Sequence, residues 1–408
     1  MSEPLAGRRL LVVEEALKDP VGHWYEYIKA VVELNRAAGV EVVTAVHAGI
    51  EPAIARELAA IPAFPRTPWD GDYAKGWAPW RYFGLLRHNW LVYRTMRRIV
   101  DGHGPFDCLF APTVAMHHLW GWRLLWARRR AAIGRMVLLF RNSPGTYPPG
   151  SVIPVFKRRT AFFKCALRSF REGLRTRRVA FATDSDRLAR EYDMLAGVVP
   201  EVFPSPRIAP FLDRGAEPRL PDEPLVFSCL GPARFEKGID LLQQAIALCL
   251  RQGLARPVRF VIQWNQPIRT ADGAVYEPDP ALVADERVEF ITKAMTSAEY
   301  DAAIATTDCM LLPYRRVSYY ARISGVAVEA ATAGIPMLYT ADTWTADLAK
   351  QMGAGMGVSD GDVAAIAAAI RELAENHEPY RALARERTGA AQAAHSPAAF
   401  LARLWGTA

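Results

Sequence analysis

The chain has 408 residues, of which 51% are hydrophobic and 23% charged, and its formal net charge is +7 at pH 7. These values are typical of a globular protein and exclude a disordered, collagen-like or low-complexity chain. Compact domains contain roughly 100 to 200 residues, so the length predicts two domains. No apolar stretch approaches the roughly 20 residues of a membrane-spanning helix, so we expect neither a secreted nor a membrane-spanning protein. Five cysteines without C-x-x-C spacing indicate neither zinc nor disulfides and fit a reducing cytoplasm.

An alternation of strands and helices fills residues 1–204, which we predict to be an N-terminal, acceptor-side Rossmann-like domain. A helix predicted over 22–38 links the first two strands, and this βαβ opening predicts a parallel sheet. Residues 49–80 contain five prolines and are predicted to form a short helix followed by a loop. The predicted strands are residues 9–13, 40–46, 108–111, 136–140 and 179–183.

Seven prolines between residues 200 and 224 interrupt the pattern and predict a linker over 205–224. The alternation then restarts and predicts a second Rossmann-like domain over 225–385. Two doubly wound α/β domains carry ligands at the carboxyl ends of their strands, so we expect a central cleft between them. Residues 386–408 are predicted to be a helix that crosses back over both domains. The predicted strands of the second domain are residues 225–230, 258–263, 288–291, 310–312 and 336–339, and its helices are residues 238–252, 297–306 and 325–333.

Positive charge is concentrated in one part of the first domain. Residues 81–178 contain 20 Arg and Lys against three acidic residues, a net charge of +17. Tryptophans and phenylalanines lie beside basic runs at 128–130 and 157–159, a mixture suited to anionic lipid headgroups or phosphates. Nucleic acid is the competing partner, and solvated helix faces covered by long side chains are the simplest alternative.

The segment GPARFEKG at 231–238 lies between a predicted strand and a predicted helix. Arg234 and Lys237 are therefore expected near a helix N-terminus, where Arg binds phosphate oxygens bidentately and Lys adds a point charge. The pattern predicts a diphosphate site. A turn with structural glycines and solvated cations explains the same residues equally well.

A second segment combines Ser324, Gly325 and Val326 at a predicted helix start with Glu329 one turn later. The backbone N–H groups of such a helix start bind phosphate, and the carboxylate of Glu329 can accept from ribose hydroxyls. The alternative is an ordinary acidic residue in a first helical turn.

Together the two segments resemble the C-terminal donor-binding domain of the group-1 (family 4) glycosyltransferases, which have the GT-B fold. The resemblance implies that Arg234 and Lys237 hold the diphosphate of a nucleotide sugar and that Glu329 binds its ribose. The first Glu of the family's E-x7-E motif falls at Ala321, so the carboxylate that usually contacts the donor sugar is missing. The rest of the motif is matched by Ala330, Gly334 and Pro336.

The resemblance also implies further positions around the donor. Gly22 falls in the loop after the first strand, where the family has a glycine beneath the phosphates. Thr292 and Met295 follow a strand whose end holds the nucleobase in relatives. The donor-binding positions implied in this way are Gly22, Arg234, Lys237, Asn265, Thr292, Met295, Ser324, Gly325, Val326 and Glu329.

In the first domain, His117 and His118 follow a predicted strand, and a histidine of this region contacts the donor sugar in many relatives. They are therefore the catalytic candidates, beside Arg234 and Lys237. Each also fits a histidine that faces the core or a partner from an amphipathic helix. The acceptor side is predicted from position after strands and consists of His23, Arg141 and Asn142.

The resemblance implies a retaining glycosyltransferase that needs no cofactor and no metal, because cations and backbone amides neutralise the leaving diphosphate. The basic aromatic stretch predicts a cytoplasmic protein, peripheral on the inner face of a membrane, with a lipid-linked or envelope-polysaccharide acceptor. Within the enzyme class, the alternative is a transferase that acts on a soluble acceptor. From a different class, the alternative is a nucleotide-sugar-binding protein without transferase activity, which Ala321 favours. No nucleic-acid-binding motif is recognised, so no nucleic-acid partner is expected.

Overall fold

The computed structural model describes residues 5–20, 23–70, 78–148, 150–206, 211–212, 220, 222–270 and 273–407. The chain divides into two units, the first made of residues 1–209 with 396–408 and the second of residues 210–395. None of the helices within the described ranges has the length and apolar character that crossing a membrane requires.

A seven-stranded parallel sheet forms the centre of the first unit. Its strands are β1 (Arg9–Glu14), β2 (Glu41–His47), β3 (Ala60–Phe64), β4 (Phe106–Ala111), β5 (Ile133–Phe140), β6 (Val179–Thr183) and β7 (Glu201–Val202). Their order is β3-β2-β1-β4-β5-β6-β7. The surrounding helices are α1 (His23–Ala37), α2 (Pro52–Leu58), α3 (Ala78–His103), α4 (Leu119–Arg129), α5 (Arg158–Arg168), α6 (Arg171–Arg175) and α7 (Asp186–Ala196).

The prediction of a loop after the short helix α2 is wrong for residues 60–64, which form strand β3. This strand pairs in parallel with β2 and lies at the edge of the sheet. Pro62 lacks a backbone N–H and is tolerated on an edge strand, where one side of the backbone has no partner strand. The prolines therefore made this strand hard to predict from the sequence, but they do not prevent it from forming.

The second unit contains a six-stranded parallel sheet and a small antiparallel hairpin. Its strands are β8 (Leu225–Cys229), β9 (Val258–Gln263), β10 (Ile268–Arg269), β11 (Val275–Tyr276), β12 (Val288–Ile291), β13 (Cys309–Leu312), β14 (Met337–Thr340) and β15 (Gly355–Val358). The sheet order is β12-β9-β8-β13-β14-β15, and β10 pairs with β11. The helices are α8 (Ile239–Gln252), α9 (Pro280–Val283), α10 (Ser297–Thr306), α11 (Arg316–Tyr319), α12 (Gly325–Thr332), α13 (Trp344–Met352), α14 (Val363–Glu375) and α15 (His377–Ala394).

Helices cover both faces of this second sheet. Along β13, Cys309 and Leu311 belong to one buried apolar cluster, whereas Met310 and Leu312 belong to another. Successive side chains of a strand point to opposite faces, so the two clusters are the cores on the two sides of the sheet. A strand buried on both faces explains the continuous apolar run in the sequence.

The last helix, α16 (Pro397–Trp405), belongs to the first unit. Phe400 is fully buried, and its ring lies 6.0 Å from that of Phe110 and 6.3 Å from that of Phe203. The indole nitrogen of Trp405 donates a hydrogen bond of 2.9 Å to the side-chain oxygen of Asn35 on α1. The end of the chain therefore completes the core of the unit in which the chain begins.

Candidate functional site

Two glycines define the turn between β8 and α8. Gly231 has a φ of +85° and Gly238 a φ of +66°, both in the region that favours glycine. A Cβ at Gly238 would lie 2.1 Å from the carbonyl oxygen of Pro313, so the backbone leaves no space for a side chain. The turn therefore places Arg234 and Lys237 at the carboxyl end of β8, the edge where parallel α/β sheets bind ligands.

Lys237 is a buried cation. Its side chain is only 6% exposed, its ammonium donates to the carbonyl oxygen of Leu230 at 3.1 Å, and it lies 5.9 Å from the ring centre of Tyr314. Burial, together with the nearby positive charges of Arg234 and Arg322, lowers the pKa of Lys237 to about 8. Among the described residues no carboxylate forms an ion pair with this ammonium. Since a buried charge is costly without a counterion, the position favours an anionic ligand.

Two arginines flank the same place. Nη1 of Arg234 and Nη1 of Arg322 each lie 3.8 Å from Oε1 of Glu236, and both side chains are nearly half exposed. The guanidinium of Arg322 also lies 5.3 Å from the ring centre of Tyr319. Three cations thus surround one carboxylate, which leaves a net positive charge of the kind that binds a diphosphate.

Side chains at the end of β9 hold the glycine turn. The backbone N–H of Gly231 donates to Oε1 of Gln263 at 2.6 Å, and that of Ala233 donates to Oδ1 of Asn265 at 3.0 Å. Asn265 was predicted to bind the donor, and the structure assigns its side-chain oxygen to the turn. Trp264 between them is buried in the core. Both polar residues therefore position the backbone beside Arg234.

The N-terminus of α12 lies beside this turn. Oγ of Ser324 accepts from the backbone N–H of Ala327 at 3.2 Å and caps the helix. A Cβ at Gly231 would lie 3.5 Å from a methyl carbon of Val326, so the two motifs that are about 100 residues apart in sequence are neighbours in the fold. Gly325 is the first residue of α12. The predicted phosphate-binding segments are thus brought together.

Glu329 is half buried on α12, and its carboxylate accepts a hydrogen bond of 2.6 Å from the hydroxyl of Tyr300 on α10. Ala321, at the position of the missing family carboxylate, is buried. Thr292 is exposed after β12, and Met295 packs against the apolar cluster that lies beneath α12. The described contacts therefore fix the orientation of Glu329 and assign no ligand to Thr292 or Met295.

The predicted catalytic histidines of the first unit lie inside the protein. His118 is 1% exposed, and its ring stacks on that of His88 at 3.7 Å. His117 is partly buried, with Nε2 lying 3.1 Å from the carbonyl oxygen of Pro68, and burial lowers its pKa to about 4. Burial also lowers the pKa of His118. Each histidine was interpreted either as catalytic or as facing the core, and the burial of His118 favours the second interpretation for that residue.

His118, His88 and Glu15 form a buried cluster whose possible ligand atoms all lie within 4.8 Å of one another. Nε2 of His88 lies 3.3 Å from Oε2 of Glu15. The two imidazole planes are inclined by only 11°, one above the other. A metal ion binds an imidazole in the plane of the ring, and one ion cannot lie in two stacked planes. We therefore interpret this cluster as a hydrogen-bonded core element.

A second group of buried charges lies at the carboxyl ends of β1, β5 and β6. Arg141 follows β5, its Nε donates to the carbonyl oxygen of Pro112 at 3.0 Å, and its guanidinium lies 3.9 Å from the ring centre of Tyr27. The same Nε is 3.8 Å from the carboxylate of Asp184. Glu14 ends β1 and is 1% exposed, and burial raises its pKa to about 7. Arg141 therefore has internal partners at the sheet edge.

The other predicted acceptor-side residues have different outcomes. Asn142 is exposed, and its carbonyl oxygen accepts from the hydroxyl of Tyr192 at 3.2 Å. His23 begins α1, and its side chain is outside the described part of the structure. Gly22 lies outside the described residues.

Residues 224–376 match the family profile described as glycosyl transferases group 1. The second unit is similar to the group-1 glycosyl transferases. The matched range contains the glycine turn, the three cations and Glu329, so the similarity covers the site described above. No curated protein matches the chain in sequence.

Solved structures with a similar fold match the chain well beyond residues 224–376. HepE of Anabaena, solved in complex with UDP-glucose, is 13% identical with a TM-score of 0.63, and the match covers 98% of each chain. Sucrose-phosphate synthase of Thermosynechococcus elongatus is 14% identical with a TM-score of 0.61, again over 98% of each chain. A glycosyltransferase of Rickettsia africae is 12% identical with a TM-score of 0.58 over 98% of this chain and 96% of its own. The predicted fold class, GT-B with two Rossmann-like domains, is confirmed.

Several residues of the site in the second unit were not predicted from the sequence. Arg322 directly follows Ala321, and its basic side chain was the available signal. Tyr300 reaches Glu329 from another helix, and no local pattern indicates such a contact. Gln263 ends a strand that was predicted. Its position could therefore be predicted from the sequence, whereas its hydrogen bond to the glycine turn could not.

Proposed function

We propose that the chain is a glycosyltransferase that takes a sugar from a nucleotide-diphosphate donor and transfers it with retention at the anomeric carbon. The observation that carries the proposal is the buried ammonium of Lys237, flanked by Arg234 and Arg322 beside the N-terminus of α12. Such a cluster neutralises the charge that develops on a leaving diphosphate, a contribution that does most of its work in the transition state. Retention is supported by the family resemblance.

The residues have separate roles in this proposal. Arg234, Lys237 and the backbone of residues 324–326 bind the diphosphate, and the carboxylate of Glu329 accepts from the ribose. Because three cations supply the positive charge, we propose that the reaction needs neither a metal nor a cofactor. Asn265 acts by positioning the turn, while Thr292 and Met295 stay predicted contacts of the nucleobase, and Gly22 stays a predicted contact of the phosphates.

The first unit is proposed to bind the acceptor, with His23 and Asn142 as predicted acceptor-side residues and His117 as a predicted catalytic residue. Its basic runs at 128–130 and 157–159 support an anionic surface, so we propose a cytoplasmic enzyme on the inner face of a membrane with a lipid-linked or envelope-polysaccharide acceptor. No nucleic-acid partner is proposed. A soluble acceptor is the alternative substrate.

A nucleotide-sugar-binding protein without transferase activity is the second candidate, and it is favoured by Ala321. The missing carboxylate leaves a buried methyl group at a position that usually contacts the donor sugar. Binding of the nucleotide depends on Lys237 and Glu329 and is expected in both cases. Hydrolysis or transfer of the sugar separates the two candidates.

The first experiment is a thermal-unfolding screen of the full chain with UDP, GDP, ADP and TDP and their common sugars, because a ligand of the native state raises Tm by mass action. We expect one nucleotide to raise Tm selectively and the Lys237→Met variant to lose this shift. Absence of a shift with every compound overturns the donor site. Radiolabelled transfer from the selected donor then tests catalysis, and activity that appears only in Ala321→Glu supports the binding protein.

A further inference from the structure

Helix α3 presents four large apolar side chains to solvent. The exposed fractions are 67% for Trp80, 59% for Phe83, 68% for Leu86 and 54% for Trp90. Spacings of three and four residues place these side chains on one face of a helix. A soluble protein seldom leaves such a group of aromatic and aliphatic side chains together in water unless the surface has a partner.

From His88 onward, the opposite face of α3 is packed inside the first unit. His88, Val92, Met96 and Val100 are buried, and the helix packs against α4. The exposed face is therefore not a core surface that a small rotation of the helix would cover. Its apolar side chains belong to the first half of α3, where the rings of Trp80 and Phe83 meet edge to face at 6.3 Å.

The second half of the same face is basic. Arg94, Arg97 and Arg98 are exposed and continue the 3.6-residue spacing from Trp90. The sequence of α3 contains five Arg residues and a single acid, Asp101. Nearly all of α3 belongs to the stretch of residues 81–178, which has a net charge of +17.

This combination selects one kind of partner. Tryptophan and phenylalanine side chains are favoured at the boundary between headgroups and acyl chains, while arginine binds lipid phosphates and covers apolar surface with its stem. Nucleic acid accounts for the arginines but not for four apolar side chains on the same face. A protein interface accounts for the apolar group but gives no reason for the one-sided charge.

We propose that the face formed by Trp80, Phe83, Leu86 and Trp90, with Arg94 and Arg98, docks the protein on an anionic phospholipid bilayer. The inference rests on the proposed function for its purpose, since it would bring the chain to a lipid-linked acceptor. The surface belongs to the first unit, whereas the proposed donor site belongs to the second. It also replaces the basic runs as the principal membrane contact, because charge alone provides no insertion.

The test is co-sedimentation of the full chain with vesicles of phosphatidylcholine alone and with about one third phosphatidylglycerol. We expect wild-type protein to bind the anionic vesicles. The double variant F83S/W90S should lose binding by about tenfold or more, because it removes two inserted aromatic side chains. Arg94→Gln with Arg98→Gln should weaken binding to anionic vesicles and reduce its dependence on salt.

Met194→Ser is the matched control, because Met194 is 50% exposed on α7 of the same unit and lies off the α3 face. It should bind vesicles as wild type does. Thermal unfolding and nucleotide binding are measured for every variant, so a folding defect is recognised. Loss of vesicle binding with intact nucleotide binding supports the docking face alone. Failure to bind any nucleotide with intact vesicle binding overturns the proposed function alone.

Two other results overturn the docking proposal. One is unchanged vesicle binding by F83S/W90S, or no binding by wild type. The other is a dimer of the wild-type protein, measured by light scattering, that F83S/W90S converts to a monomer, which assigns the face to self-association. Vesicle binding that is competed by oligonucleotides but unaffected by F83S/W90S would assign the basic stretch to nucleic acid.

Discussion

The hydroxyl of Tyr300 donates a 2.6 Å hydrogen bond to the carboxylate of Glu329. Tyr300 belongs to α10 and Glu329 to α12, so the bond from α10 fixes the orientation of a side chain on α12. A carboxylate has several acceptor positions, so a bond from tyrosine is compatible with bonds from ribose hydroxyls. Tyr300 is therefore a positioning residue for the proposed ribose contact.

Replacing Tyr300 by Phe should weaken binding of the selected nucleoside diphosphate by about 1 kcal/mol, the usual net value of one hydrogen bond. Affinity for inorganic pyrophosphate should not change, because it has no ribose. Isothermal titration calorimetry with both ligands measures the difference. Glu329→Gln, which removes the charge but keeps an oxygen acceptor, is the companion variant. Equal losses of affinity for both ligands would show that Tyr300 supports the site as a whole and does not position the ribose contact.

Replacing Lys237 by Met should have two opposite effects. The ligand-free protein should become more stable by roughly 1 to 3 kcal/mol at pH 7, since a buried ammonium no longer loses its hydration. Nucleoside diphosphate binding should weaken by at least about 1.5 kcal/mol, because a charged hydrogen bond is lost. Denaturant unfolding and calorimetry measure the two quantities. Arg234→Ala is the control: its exposed side chain should affect binding and leave the free energy of unfolding nearly unchanged. A destabilised Lys237→Met variant would contradict the argument.

The lowered pKa of Lys237, about 8, gives the binding reaction a pH dependence. The unfolded chain keeps the ordinary, higher pKa and binds more protons above pH 8, so stability of the ligand-free protein should rise with pH there. A bound diphosphate favours the ammonium, so binding should take up protons and weaken as the pH rises above 8. Calorimetry in two buffers of different ionisation enthalpy measures this uptake, and Lys237→Met should lack it.

Gly238→Ala should destabilise the second unit by more than about 3 kcal/mol, since both a positive φ and a backbone clash oppose the new methyl group. Gly361→Ala is the matched control in the same unit, with a φ of +77° and no described atom within 4 Å of the added Cβ. It should cost only about 1 kcal/mol. Denaturant unfolding followed by circular dichroism compares the two. Similar losses would show that the clash with Pro313 is relieved by a shift of the backbone.

Glu14→Gln should change how stability depends on pH. The pKa of Glu14 is raised to about 7, so the folded protein holds a proton that the unfolded chain releases above its ordinary pKa near 4.5. This contribution is complete below pH 4.5 and is lost as the pH rises through 7. The variant should resemble wild type at pH 5 and be more stable at pH 8 by up to about 3 kcal/mol. Urea unfolding at pH 5 and pH 8 measures the difference in free energy of unfolding between the variant and wild type. The same difference at both pH values would contradict the titration of Glu14.

The sequence predicted most of both sheets because strands buried on two faces appear as short β-branched runs between helices. Strand β3 was missed because Pro62 is unfavourable in a strand except at an edge, and the edge is decided by the sheet order. The position of Arg234 and Lys237 at the end of a strand could be predicted because a strand, a glycine turn and a helix follow one another in the chain.

Contacts between distant segments could not be predicted in the same way. Tyr300 and Glu329 are 29 residues apart, and nothing local indicates their bond. His118 was predicted to be catalytic from its position after a strand, but its ring is buried against His88 of another helix. A polar side chain satisfied by a distant partner has the same sequence signature as one that faces a ligand.

The return of the chain in α16 sets an order for folding during synthesis. Phe400 fills a space between Phe110 and Phe203, so the core of the first unit stays incomplete until residues near 405 have been made. All of residues 210–395 are synthesised before then and can fold without waiting. The nascent first unit is therefore expected to expose the apolar side chains that Phe400 later covers while nearly two hundred further residues are synthesised, and exposed apolar surface of this kind favours aggregation.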